Sequence, residues 1–134
     1  MVESIIDTDI LSFYFKGDNK IINQFSRYLD EFDQINISII TYYEISGGLK
    51  FKKAQKQIQE FEEFVANNNI IYLSEESARR SGDIYADLRQ KGITIGTSDI
   101  LIAGIALENS LTLVTNNVKH FEPIKGLKIE NWKR

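Results

Sequence analysis

Apolar residues fall in short unbroken runs that alternate with longer stretches of helical spacing. Residues 2–6 are a short apolar run, the pattern of a buried strand, and the run stops at Asp7. Residues 9–16 read as helix. Asp18 stands where it can cap a second helix, with Ile21, Ile22, Phe25, Leu29 and Phe32 on one face. The isoleucine-rich residues 35–40 predict a second strand. A helix follows from about Thr41, ended or bent at Gly47 and Gly48. Residues 53–67 predict an amphipathic helix through Ile58, Phe61, Phe64 and Val65, with Asn67, Asn68 and Asn69 as a left-handed exit. Residues 70–73 predict a third strand. Ser74 caps the next helix, which carries Ala78, Tyr85 and Leu88 and stops at Gly92. Residues 93–97 read as loop. Asp99 opens a helix that is apolar almost all round, hence central and buried. Residues 111–115 predict a fourth strand, and residues 128–130 an edge strand.

This alternation predicts an α/β fold: a short central parallel sheet with helices on both faces. With one proline, no Gly/Ser-rich linker and no repeat, residues 1–134 read as one domain. The absence of cysteine excludes disulfides and thiolate metal sites, and a single histidine excludes a His-rich zinc centre. The apolar run at residues 100–107 is too short to span a bilayer. The amino-terminal residues carry Glu3 and Asp7 and no basic segment, unlike a signal peptide. The expectation is a cytoplasmic protein without membrane contact.

Sixteen basic against nineteen acidic residues leave a net charge of −3, which argues weakly against nucleic-acid binding. The distribution qualifies the sum. Lys50, Lys52, Lys53 and Lys56 lie close together, and residues 119–134 hold five basic residues and two acids. A solvated face is the plain reading of the lysine cluster; contact with RNA through Lys50, Lys52 and Lys53 is the alternative.

In parallel sheets ligands sit beyond the carboxyl ends of the strands. Asp7 follows the first strand, Glu44 lies a helical turn after the second, and Asn117 follows the fourth. Asp99 joins them from the central helix. Converging carboxylates repel and raise one another's pKa, a cost that a divalent cation removes. Oxygen-only ligands select a hard ion, Mg²⁺ or Mn²⁺. With three carboxylates assigned to the ion, the rest of the protein is neutral. Structural readings stand beside these. Thr41-x-x-Glu44 fits a capping box, Ser98-Asp99 fits an N-cap, and Asn117 and His120 fit loop positions. Asp9 fits capping or support of Asp7.

The segments IIDTDIL, ITYYEISGGL, IGTSDILIAGIAL and LVTNNVKHFEPIKGLKIENW resemble, in order and spacing, the PIN domain, and more closely the VapC toxins of type II toxin–antitoxin pairs. The resemblance implies a Mg²⁺-dependent endoribonuclease with Asp7, Glu44 and Asp99 as its acids. Thr8 and Asp9 match positions that orient the first acid. Thr115 and Asn117 match the terminal motif that supports the metal or its water, and Asn116 adds a polar contact. That motif supplies a fourth acid in many members. Here Asn117 and His120 stand at the candidate positions in place of that acid. In-line attack by an activated water would leave a 5′-phosphate and a 3′-hydroxyl. The resemblance also implies a homodimer and an antitoxin whose tail occupies a groove walled by residues 13–15, Phe25 and residues 51–64. Three rival functions remain at this stage. One is a PIN nuclease for RNA maturation without an antitoxin. Another is a silent PIN-like binding module. The third is a haloacid-dehalogenase-type phosphatase using Asp7 and Asp9, although Leu11 departs from that family's Thr or Val.

Overall fold

The first apolar run pairs only where both of its faces can be covered. In the computed structural model, which describes residues 1–134, strand β1 is Ser4–Ile6. Helices α1 (Thr8–Phe15) and α2 (Asn19–Glu31) follow, then β2 (Asn36–Ser38), α3 (Ile39–Phe51), α4 (Gln55–Asn67) and β3 (Asn69–Ile71). The chain continues through α5 (Glu75–Gln90), α6 (Thr97–Glu108), β4 (Thr112–Val114), α7 (Val118–Phe121) and β5 (Ile129–Glu130). The five strands form one sheet in the order β3-β2-β1-β4-β5, and every pairing is parallel. The expected sheet is therefore present, and β5 is the expected edge strand.

Successive strand residues point to opposite faces, and the two cores follow that rule. Ile5 and its register partner Leu113 join Ile84, Leu88, Ile102 and Ile105 beneath α5 and α6. Ile6, its partner Val114 and Ile37 join Ile10, Leu11, Phe25, Tyr28 and Phe61 on the other side. Trp132 closes that second core against Phe25, with ring centroids 5.8 Å apart. Phe25 is thus a core residue, stacked on Tyr14 at 4.3 Å, rather than a groove wall.

Several boundaries and faces differ from expectation. Helix α3 begins at Ile39 and runs through Gly47 and Gly48 to Phe51, because Tyr42, Ile45 and Leu49 pack it on the second core. Its cap is Ser38, whose Oγ accepts the Thr41 N–H at 3.0 Å, so Thr41 and Glu44 form no capping box. Helix α6 begins at Thr97 with Gly96 as N-cap, which puts Asp99 inside the first turn and removes the N-cap reading of Ser98-Asp99. In α2 the buried stripe is Ile21, Phe25 and Tyr28, while Ile22 and Leu29 are exposed. In α5 it is Ser77, Ser81, Ile84 and Leu88, with Ala78 and Tyr85 outward. Asn68 leaves α4 at φ −129°, so the exit is not left-handed. Its side chain instead bridges the turn, donating to Phe64 O at 2.9 Å and accepting Ile35 N–H at 2.8 Å.

Candidate active site

The strand order reverses between β1 and β4, and a parallel sheet opens its ligand crevice at such a point. Asp7 ends β1 there, with 6% of its surface exposed. Its Oδ1 accepts the Thr8 N–H at 2.9 Å, which makes Asp7 itself the N-cap of α1. Its Oδ2 accepts the Thr115 hydroxyl at 2.8 Å across the β1–β4 junction. Thr115 is fully buried, and its Oγ also accepts the Asn117 N–H at 3.0 Å. Burial pushes the Asp7 carboxyl up to about 7, helped by the charges of Asp9 and Asp99 and opposed by the two hydrogen bonds.

Asp9 is held by backbone. Its Oδ1 accepts Ile10 N–H at 2.7 Å and its Oδ2 accepts Asn116 N–H at 3.1 Å. Burial is the largest cause of its raised pKa, and Asp99 adds to it. Asp9 does not cap α1, since Asp7 does, and makes no bond to Asp7; it ties α1 to the loop after β4. Asn116 contributes through its backbone, while its side chain accepts from Asn131 Nδ2 at 3.1 Å.

Glu44 reaches the same edge through Thr8, whose hydroxyl donates to Glu44 Oε1 at 2.7 Å. The Thr8 and Thr41 hydroxyls stand 3.0 Å apart. Thr8 gives its single hydrogen to a carboxylate that can only accept, so Thr41 donates to Thr8. Thr8 therefore orients the second acid, while its backbone binds the first. Asp99 meets His120, with Nε2 at 2.7 Å from Oδ2.

The acids thus line one edge without closing into a cage. No three of the acids and the histidine stand close enough to enclose an ion as they are placed. The donor set nevertheless fits a hard cation. No lysine or arginine forms an ion pair with Asp7, Asp9, Glu44 or Asp99. Mg²⁺ keeps several waters, which bridge wider gaps than direct ligation does. Asn117 is exposed at the start of α7, and its side chain caps nothing. Lys50 is exposed in the last turn of α3, roughly 9 Å along the helix axis from Glu44, and Lys52 and Lys53 are exposed just past the helix end.

A family model for the PIN domain matches residues 4–126. The chain belongs to the PIN domain family. Among curated relatives, this PIN domain is 38% identical to a ribonuclease VapC2 of Rickettsia felis, over 73% of the chain and 74% of that protein. It is 32% identical to a tRNA(fMet)-specific endonuclease VapC of Salmonella typhimurium, over 98% of the chain and 99% of that protein. Its backbone superposes on a crystal structure of VapBC2 from Rickettsia felis bound to a promoter DNA fragment. The TM-score is 0.87 at 33% identity, covering 96% of this chain and 98% of that one.

Membership in this family sets the phosphatase alternative aside. What sequence reasoning missed in the PIN domain is how the acids are held. From the sequence Thr41 fits only a cap, and His120 only a loop residue or a stand-in for an acid. The one available signal was the position of His120 three residues past Asn117 in the terminal motif.

Proposed function

We propose that this PIN domain is a divalent-metal-dependent endoribonuclease, the toxin of a type II toxin–antitoxin pair, using Mg²⁺ with Mn²⁺ as a substitute. One observation carries the reading: a nearly buried carboxylate, Asp7, sits at the sheet's switch point among other acids with no basic side chain to neutralise it. Such a group is costly unless a cation joins it. Asp7, Glu44 and Asp99 would hold the ion. When bound, it supplies positive charge to the scissile phosphate and an activated water. The chain's own residues fix the ligands. Thr115 and the Thr8 N–H hold Asp7, and the Thr8 hydroxyl holds Glu44 Oε1 and leaves Oε2 free. Asn117 offers an exposed amide to water or phosphate. No helix is long and apolar enough to cross a membrane, consistent with action on RNA in solution. Lys50, Lys52 and Lys53 serve flanking RNA at most, given their distance from Glu44.

For the antitoxin we assign a groove of about 370 Å³ between α1, α3 and α4, with Phe15, Ile45, Leu49 and Phe61 on its walls. The decisive experiment is RNA cleavage by the purified chain with Mg²⁺ and with EDTA. Asp7→Asn should lower Mg²⁺-dependent cleavage by at least about 100-fold, since the charge effect of such ions is several kcal/mol. Cleavage at the parent rate by that variant, or in EDTA, refutes the assignment.

A further inference from the structure

His120 is the only titratable side chain that touches one of the three acids. It lies on α7 with its ring edge-on to Phe121, centroids 5.4 Å apart. Its Nε2 reaches Asp99 Oδ2 across 21 residues of sequence. The two side chains are 30% and 31% exposed, so the contact sits at the mouth of the site. A carboxylate oxygen accepts, so Nε2 carries the hydrogen. That nitrogen is thereby committed to Asp99 and is not free to bind a metal.

We infer that His120 is a positioning residue for Asp99, holding Oδ2 so that Oδ1, which has no protein partner, is presented in one orientation. The inference rests on the metal-dependent reading above. A ring N–H from His120 steadies Asp99 and adds no negative charge to an edge that already holds Asp7, Asp9 and Glu44. The terminal motif then acts by orienting an existing ligand instead of supplying another. Hydrogen-bonded support of this kind governs metal affinity, and its loss typically costs about 10–100-fold.

The test is calorimetric titration of the metal-free protein with Mn²⁺, which needs no RNA. His120→Ala should weaken binding about 10–100-fold. His120→Gln, whose amide N–H has a similar reach, should recover most of it. His120→Leu keeps bulk against Phe121 and should behave like alanine, which covers the case in which alanine unwinds α7. Metal-free melting curves should be alike for all four proteins. Binding by the alanine variant equal to or tighter than the parent's would overturn the inference while leaving the metal reading intact. A glutamine variant as weak as alanine would overturn it too, by making the ring itself a ligand. A parent protein that binds no Mn²⁺ would sink both readings.

Discussion

Asp7 couples the site to stability. Unfolded, its carboxyl ionises near 3.8; folded, it keeps its proton up to about 7. Between those pH values the folded state binds the extra proton. Stability contributed by Asp7 is therefore fully present below about pH 4 and lost as pH rises towards 7. The full span is worth on the order of 4 kcal/mol, at about 1.36 kcal/mol per pH unit. Asp7→Asn removes the charge. Its amide would face the Thr115 hydroxyl, which must turn, giving back about 1 kcal/mol. The metal-free variant is expected to exceed the parent by about 1–3 kcal/mol at pH 8 and by nothing at pH 4, read from urea melts at both pH values. An equal difference at the two pH values would show that Asp7 titrates normally. Thr115→Val acts in the opposite sense. It strips Oδ2 of its donor and leaves the Asn117 N–H without its acceptor, at a cost of about 1–3 kcal/mol. It also moves the Asp7 midpoint further up, because that hydrogen bond lowers it. Carbon-13 titration of the Asp7 carboxyl reads the direction, and Thr115→Ser should return it. The acid was legible from its place after an apolar run. Its partner Thr115 was legible only through the resemblance, because 108 residues separate the two.

At the scale of elements, the pair α5 and α6 decides how Asp99 is carried. The two helices approach so closely that a Cβ on Gly104 would lie 2.0 Å from Ser81 Oγ and 2.5 Å from Ser77 O. Ser81 cannot simply turn away, since its hydroxyl donates to Ile100 O at 2.9 Å, and a backbone oxygen cannot yield. Gly104→Ala should therefore push the helices apart and cost about 1–3 kcal/mol, despite the better helix propensity of alanine. The urea midpoint checks it; a midpoint at or above the parent's would mean the close approach is absent. Because α6 also bears Asp99, RNA cleavage should fall with it. This contact explains in part why the α5 face was misread from sequence. Hydrophobic periodicity does not mark the serines and glycine at the closest approach, so Ser77 and Ser81 escape it, whereas Ile84 carries an ordinary apolar signal that the Ala78–Tyr85 assignment passes over. The α3 boundary failed for a related reason. Gly47 and Gly48 weaken a helix by roughly 0.5–1 kcal/mol each, a local cost that packing by Ile45 and Leu49 overrides. Elements with plain signals, such as Asp18 capping α2 and Ser74 capping α5, came out as read.

Across the whole molecule, the two cores hold the sheet from both sides and leave Asp7, Asp9, Glu44 and Asp99 at its carboxyl edge without a lysine or arginine partner. The acids after β1 and β2 were visible because parallel sheets direct attention there. The hydroxyl relay from Thr41 through Thr8 to Glu44 was not visible, since it joins α3 to α1 by tertiary contact. The relay also ties the groove to the site. Ile45 and Leu49 line the groove from the helix that carries Glu44, and Ser12 and Phe15 line it from the helix that Asp7 caps. A segment seated there would contact the two helices that carry Glu44 and the Asp7 cap, although neither acid lines the groove itself. The groove wall and the acids can be separated by mutation, because Leu49 is more than a helical turn beyond Glu44. Leu49→Lys replaces an apolar wall residue of the groove with a charge beside Lys16 and Lys52, so a partner segment loses an apolar contact and meets added like charge. The expected outcome is at least about a 100-fold loss of affinity for the antitoxin, measured by titration with the purified pair. Mg²⁺-dependent cleavage by the free variant should stay within a few-fold of the parent's. The variant should then cleave RNA in a mixture where the parent is silenced. Unchanged affinity would place the antitoxin elsewhere on the surface; lost cleavage with retained affinity would mean that the groove belongs to the RNA.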